Sequence, residues 1–303
     1  MKQYYRIMLG KKSIHAEECM AGSFVGVDYG IHQDLTGKLP EEWRTFNREF
    51  IPIYLAGRPG KTKIAAGLAC GAVWRVSKGI KRDDIVVSPD GEGRYHFGEI
   101  SGDYYYQQGA VLPHRRSVQW FRQTVDRADV SEALRRTMGA PGTASNISVH
   151  HEEIESLLDG RPPSDDTVED LLAFAMEKHL EEFLIQNWAQ TDLAIDYDIY
   201  EEDGERVGQQ FDTDTGPIDI LAISRDKKTL LILELKRGRA SDVVVGQILR
   251  YMGYVKEELA EDDQSVKGII IAMEGDQRIR RALAMVPDID FYRYQVSFKL
   301  MRS

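Results

Sequence analysis

Two acidic residues interrupt apolar strands in the second half of the chain. Asp219 lies within Gly216-Pro217-Ile218-Asp219-Ile220-Leu221-Ala222, and Glu234 within Leu230-Leu231-Ile232-Leu233-Glu234-Leu235-Lys236. Burying a carboxylate is costly unless a cation, a hydrogen-bond network or a wet cleft receives it. Side chains two apart on a strand share a face, so Glu234 and Lys236 are neighbours. The polar turn from Arg225 to Lys228 makes the two strands an antiparallel pair and brings Asp219 opposite them. Two carboxylates and nearby carbonyl oxygen, that of Leu235 first, suit a hard divalent cation such as Mg²⁺, which prefers oxygen and keeps several waters. An ammonium beside such an ion orients or deprotonates a water and stabilises charge developing on a phosphate. Glu177 on the preceding helix, and Gln247 and Tyr251 as an i, i+4 pair on the following one, are further candidates.

Helix and strand patterns surround these residues in a definite order. Thr167 to Gln190 carries a helical stripe of Leu171, Leu172, Ala175, Met176, Leu180, Phe183 and Leu184. Strands are expected over Ile195 to Tyr200, Ile218 to Ile223 and Leu230 to Lys236. Ser241-Asp242 is placed to cap a helix reaching about Leu259. A strand over Val266 to Met273, a short helix over Asp276 to Met285 and a last strand over Phe291 to Leu300 follow.

With that order, the sequence resembles the PD-(D/E)XK nuclease superfamily, and Phe174 to Leu300 resembles the NucS-type, RecB-like endonuclease domain. The pattern is met by Glu177, by Asp219 in G-P-I-D-I-L-A, by Glu234-Leu235-Lys236, and by Gln247 and Tyr251 in G-Q-I-L-R-Y-M-G. The resemblance implies a restriction-endonuclease-like αβββαβ core and a Mg²⁺- or Mn²⁺-dependent phosphodiesterase acting on DNA. Asp219 and Glu234 would be metal ligands, Lys236 would assist the water, and Glu177, Gln247 and Tyr251 would support them.

The first half reads differently. Short runs between turn signals, at Tyr4 to Leu9, Phe50 to Leu55, Ala66 to Val76, Ile85 to Ser88, Tyr95 to Ile100 and Ser117 to Phe121, suggest a β-rich small barrel. Helical periodicity over Ser131 to Met138 and Ile147 to Leu158 suggests a connector. Gly57-Arg58-Pro59-Gly60-Lys61-Thr62 is not a phosphate loop, because Leu55 stands where the motif requires glycine. Several segments, among them Arg82 to Gly91 and His114 to Trp120, loosely resemble PUA/EVE-type reader domains fused to Mrr-like restriction nucleases. That resemblance implies recognition of a modified base, with Arg115 and Arg116 contacting phosphate and Trp74 or Trp120 walling a pocket for an extruded base.

Length and composition bound the rest. At 303 residues, 42% of them hydrophobic, the chain holds two ordinary domains. The expected division is a reader over 1–125, a helical connector over 126–163 and a nuclease over 164–303. No apolar run approaches the roughly 18 residues of a membrane span, and the N-terminus lacks a secretory pattern, so a cytoplasmic protein is expected. Two cysteines allow neither a disulfide framework nor a four-cysteine zinc site. The net charge of −10 is uneven: Met1 to His151 carries 21 Lys/Arg against 16 Asp/Glu, and the remainder 18 against 33. A polyanion is attracted to the first half and repelled by much of the second. The expectation is therefore a restriction-type DNA endonuclease that senses modified bases, dimeric if it cuts both strands. Its alternatives are a repair nuclease for mismatched or branched DNA and a catalytically silent nucleic-acid-binding scaffold.

Overall fold

Ile85, Val86 and Val87 are buried on both strand faces, the mark of an interior strand covered on two sides. In a computed structural model, which describes residues 2–140, 142–159, 180–202 and 204–295, the chain divides into two units, 1–166 and 167–303. The first holds a six-stranded sheet of β1 (Tyr4–Ile7), β2 (Phe24–Val27), β3 (Ile85–Pro89), β4 (Arg94–Tyr106), β5 (His114–Asp126) and β6 (Ala144–Asn146). Its order is β2-β5-β4-β3-β1-β6. β1 and β3 are parallel and the other neighbours antiparallel.

Three expectations for this unit are corrected. Among the described residues the edges β2 and β6 do not pair, so the sheet is open where a small barrel was expected. Phe50 to Leu55 and Ala66 to Val76, read as strands, lie largely in helices: after α1 (Ala16–Ala21) come α2 (Trp43–Gly57) and α3 (Lys63–Trp74). In α2 the buried Trp43, Phe46, Phe50, Ile51 and Tyr54 recur at helical spacing. In α3, alanines that lose no side-chain entropy make helix the cheaper state, and Thr62 caps it by accepting the Ala65 N–H at 3.1 Å. Finally, the described residues of the expected connector over 126–163 pack into the first unit. β6 extends the sheet beside β1, and α4 (Glu132–Gly139) and α5 (His151–Leu158) bury Leu134, Met138, Ile154 and Leu157 in a core with Tyr4, Ile85 and Phe97.

The second unit has α6, described over 180–186, then β7 (Tyr197–Ile199), β8 (Gln209–Thr213), β9 (Gly216–Ser224), β10 (Thr229–Ala240), α7 (Val243–Tyr254), β11 (Ser265–Gly275), α8 (Gln277–Leu283) and β12 (Ile289–Arg293). The sheet runs β12-β11-β10-β9-β7, with β8 also paired to β9. The β9–β10 hairpin is antiparallel as expected, and β10, β11 and β12 are parallel. β8 has no counterpart in the expected element order. It continues β7's side of β9, and the chain passes between the two at Gly208. A Cβ there would stand 2.2 Å from the Leu221 carbonyl oxygen, so only glycine fits the approach.

One face of this sheet, with Ile220, Ala222, Leu231, Leu233, Leu235, Ile269 and Ile271, packs against Ile185 and Trp188. Alternation sends Asp219, Glu234 and Lys236 to the other face, which α7 covers through contacts with β10 and β11. Among the described residues no helix is long and apolar enough to cross a membrane.

Candidate active site

The site forms where β9 loses β10 as a partner. β9 and β10 are registered through Leu230↔Ile223 to Leu233↔Ile220, while on its other edge β9 pairs with β8 from Gln209↔Ile220 to Thr213↔Gly216. The ladder with β10 stops one pair short of Glu234 and Asp219. In the gap, Asp219 Oδ2 accepts the Leu235 N–H at 2.8 Å. A strand residue presents its N–H and C=O to the same side, so the Leu235 carbonyl faces the same gap.

Glu234 is buried, and its Oε1 accepts from Lys236 Nζ at 2.7 Å, with Lys236 itself 28% exposed. The i, i+2 neighbours are thus an ion pair reaching from the interior to the surface. Tyr251 is buried on α7, where Gln247 Nε2 lies 3.3 Å from its hydroxyl. Burial pushes the Tyr251 phenol above its ordinary value, the charges of Glu234 and Asp219 push it further, and the Gln247 hydrogen bond and Lys236 pull back. Gly216, at φ +122°, would place a Cβ 3.3 Å from the Tyr251 hydroxyl. Gln247 and Tyr251 therefore join the strand residues on one face of the sheet.

Glu177 lies outside the described residues. The described part of the helix contributes Glu181, four residues on in the sequence. Glu181 is buried, and its carboxylate accepts from Gln209 Nε2 at 2.7 Å and Gln210 Nε2 at 2.5 Å. Gln210 Nε2 also donates to Asp219 Oδ1 at 3.2 Å. The signal for Glu181 was its burial-favouring place beside Leu180 and Leu184; nothing in the sequence marked the two glutamines.

The donors facing the gap are carboxylate and carbonyl oxygens, without histidine or thiolate. Among the described residues no group of three or more His, Cys, Asp or Glu gathers into a metal cluster. That set fits a hard cation keeping part of its water shell, as Mg²⁺ does, and Asp219, Glu234 and the Leu235 carbonyl are the groups that would hold it.

The proposed DNA contacts of the first unit are placed differently. Arg115 is buried, donates to the carbonyls of Leu112 (3.0 Å) and Val111 (2.6 Å), and lies 3.7 Å over the Phe24 ring. Arg116 is buried too, donating to Val76 (2.7 Å), Ser77 (2.9 Å) and Gly102 (3.3 Å). These guanidiniums tie the fold together and are not presented to phosphate, which corrects the expectation for both. Trp74 donates to the Pro40 carbonyl and stacks on Trp43, and Trp120 donates to the Cys19 carbonyl. Both are partly buried and pack on the core of this unit.

Comparison with known proteins divides the chain at the same place. Residues 177–295 match the family described as the Endonuclease NucS C-terminal domain. The second unit is thus similar to the C-terminal domain of NucS. Residues 5–144 match a domain of unknown function, DUF8426. Endonuclease NucS of Methanocaldococcus jannaschii is 37% identical over 75 residues, 25% of this chain and 27% of that protein. The match thus spans about a quarter of the curated relative. Among solved structures, an EndoMS–dsDNA complex is similar at a TM-score of 0.34 and 16% identity, over 68% of this chain and 62% of that one. A repair endonuclease from Pyrococcus abyssi is similar at 0.32 and 15%, over 68% and 66%.

Proposed function

We propose that the protein is a divalent-metal-dependent DNA endonuclease of the repair type, hydrolysing phosphodiester bonds in the NucS-like unit. One observation carries the reading: Asp219, the Leu235 backbone, Glu234 and Lys236 converge at the splayed end of the β9–β10 ladder, in the part of the chain that matches the NucS C-terminal domain. A bound Mg²⁺ or Mn²⁺ would supply Lewis acidity toward the phosphate and lower the pKa of a coordinated water. Asp219 and Glu234 would hold that ion. Lys236, paired with Glu234 yet partly exposed, would place its ammonium where a water is oriented and where negative charge grows on the phosphate. Tyr251 and Gln247 would present O–H and N–H donors from the α7 side.

The repair reading displaces the restriction reading because the latter rested on a base-reading barrel. Its proposed phosphate contacts, Arg115 and Arg116, are spent on carbonyls inside the first unit, whereas the NucS likeness needs neither of them. The excess of Lys and Arg in the first half supports a part for that unit in holding DNA. Cutting both strands from one such site calls for a second copy or successive nicks.

The test is cleavage by the full chain, with Mg²⁺ or Mn²⁺, of four duplexes: matched, mismatched, branched, and carrying modified cytosine or adenine. Preferential cutting of mismatched or branched DNA, stopped by EDTA, is expected. Preference for the modified duplex would restore the restriction reading, and no cutting of any substrate would favour a silent scaffold.

A further inference from the structure

Gln209 and Gln210 are consecutive on β8, and consecutive strand residues point to opposite faces. Here both amides reach one carboxylate, Gln209 donating to Glu181 Oε1 and Gln210 to Oε2. The backbone explains it. Gln210 has φ +47°, in the left-handed region that residues other than glycine seldom occupy. The ladder records the same departure: Gln209↔Ile220 and Phe211↔Ile218 are partners, while Gln210 and Asp219 between them are not. The rotation turns the Gln210 amide inward, where it also donates to Asp219 Oδ1. A neutral –NH₂ has two hydrogens, one for each of two carboxylates that would otherwise repel. Asp219 is then held at both oxygens, Oδ1 by Gln210 and Oδ2 by the Leu235 N–H.

We infer that Gln210 is a positioning residue whose amide, delivered by a left-handed backbone, fixes the rotation of the Asp219 carboxylate and couples it to Glu181, so that Asp219 meets a divalent cation in one orientation. The inference rests on the metal-dependent reading above. Groups that orient metal ligands in this way typically contribute about 10- to 100-fold in metal affinity. Strained backbone held at such a position is itself a pointer to function.

The experiment measures Mn²⁺ affinity of the full chain by electron paramagnetic resonance, and the metal-free Tm, for wild type, Gln210→Gly, Gln210→Asn and Asp219→Ala. Glycine accepts φ +47° without strain, which offsets part of the hydrogen bonding lost from Glu181 and Asp219, so Gln210→Gly should stay cooperatively folded while weakening Mn²⁺ binding about 10-fold or more. Asparagine tolerates the left-handed region and retains the amide, so Gln210→Asn should recover part of the affinity. Mn²⁺ binding by Gln210→Gly equal to wild type, or a loss that comes with loss of the cooperative thermal transition, overturns the inference. Asp219→Ala separates the two levels. If it too binds Mn²⁺ as wild type does, the metal-dependent reading fails; if it alone loses Mn²⁺, only the role of Gln210 fails.

Discussion

Asp219 Oδ2 takes the Leu235 N–H at 2.8 Å, where the β9–β10 ladder would otherwise have continued. A side chain thus replaces a backbone acceptor and leaves the Leu235 carbonyl facing the same gap. The substitution is what lets a strand pair open into a site without orphaning a backbone donor.

Asp219→Asn keeps an oxygen for that N–H but loses the charge a metal requires, whereas Asp219→Ala loses both. Both variants should lose metal-dependent cleavage by about 10²-fold or more. Asp219→Ala should in addition be less stable than Asp219→Asn by about 1–2 kcal/mol, the cost of an unmet buried hydrogen bond. Nicking assays paired with urea denaturation measure the two effects.

Lys236→Ala should abolish cleavage and also withdraw the ion-pair partner of a buried glutamate. A loss of about 1–3 kcal/mol is expected without metal. Added Mg²⁺ should recover part of it, since a ligand that binds only the folded state stabilises it. Calorimetry with and without Mg²⁺ reads this directly, and a variant that cuts DNA at the wild-type rate would refute the role given to Lys236.

The Tyr251 phenol is raised above its ordinary value near 10 by burial first and by Glu234 and Asp219 next. The folded protein therefore keeps a proton that the unfolded chain releases near pH 10. The stability this contributes is complete below about pH 10 and is lost as pH climbs through the folded value. Tm measured from pH 9 to 11 should fall less steeply in Tyr251→Phe than in wild type. Below pH 10 the group stays a hydrogen-bond donor, so the cleavage profile should show no phenol-linked limb there.

Arg116 spends its guanidinium on three carbonyls, those of Val76, Ser77 and Gly102. Arg116→Ala should cost about 2–4 kcal/mol in denaturant unfolding, since a buried carbonyl left without its donor costs about 1–3 kcal/mol and water can reach part of the vacated space. Arg116→Lys should recover little, because one ammonium does not reproduce the planar fork. A stable Arg116→Ala with weakened DNA binding would instead return this residue to a phosphate-contacting role.

What the sequence determined by itself was the part of the site written along single strands. An acid within an apolar run, a Glu and a Lys two residues apart, and a short polar turn between them fix a shared face and an antiparallel pair through local geometry alone. The same local rules failed at Phe50 to Leu55 and Ala66 to Val76, where apolar runs serve a strand or a buried helix equally well and packing decided for helix. Arg115 and Arg116 look from sequence like surface cations, and only the tertiary structure supplies the carbonyls that draw them inside. The link from Glu181 through Gln210 to Asp219 was decided last. It joins a helix to two strands and depends on one left-handed backbone angle, a property of the folded sheet that no residue type announces.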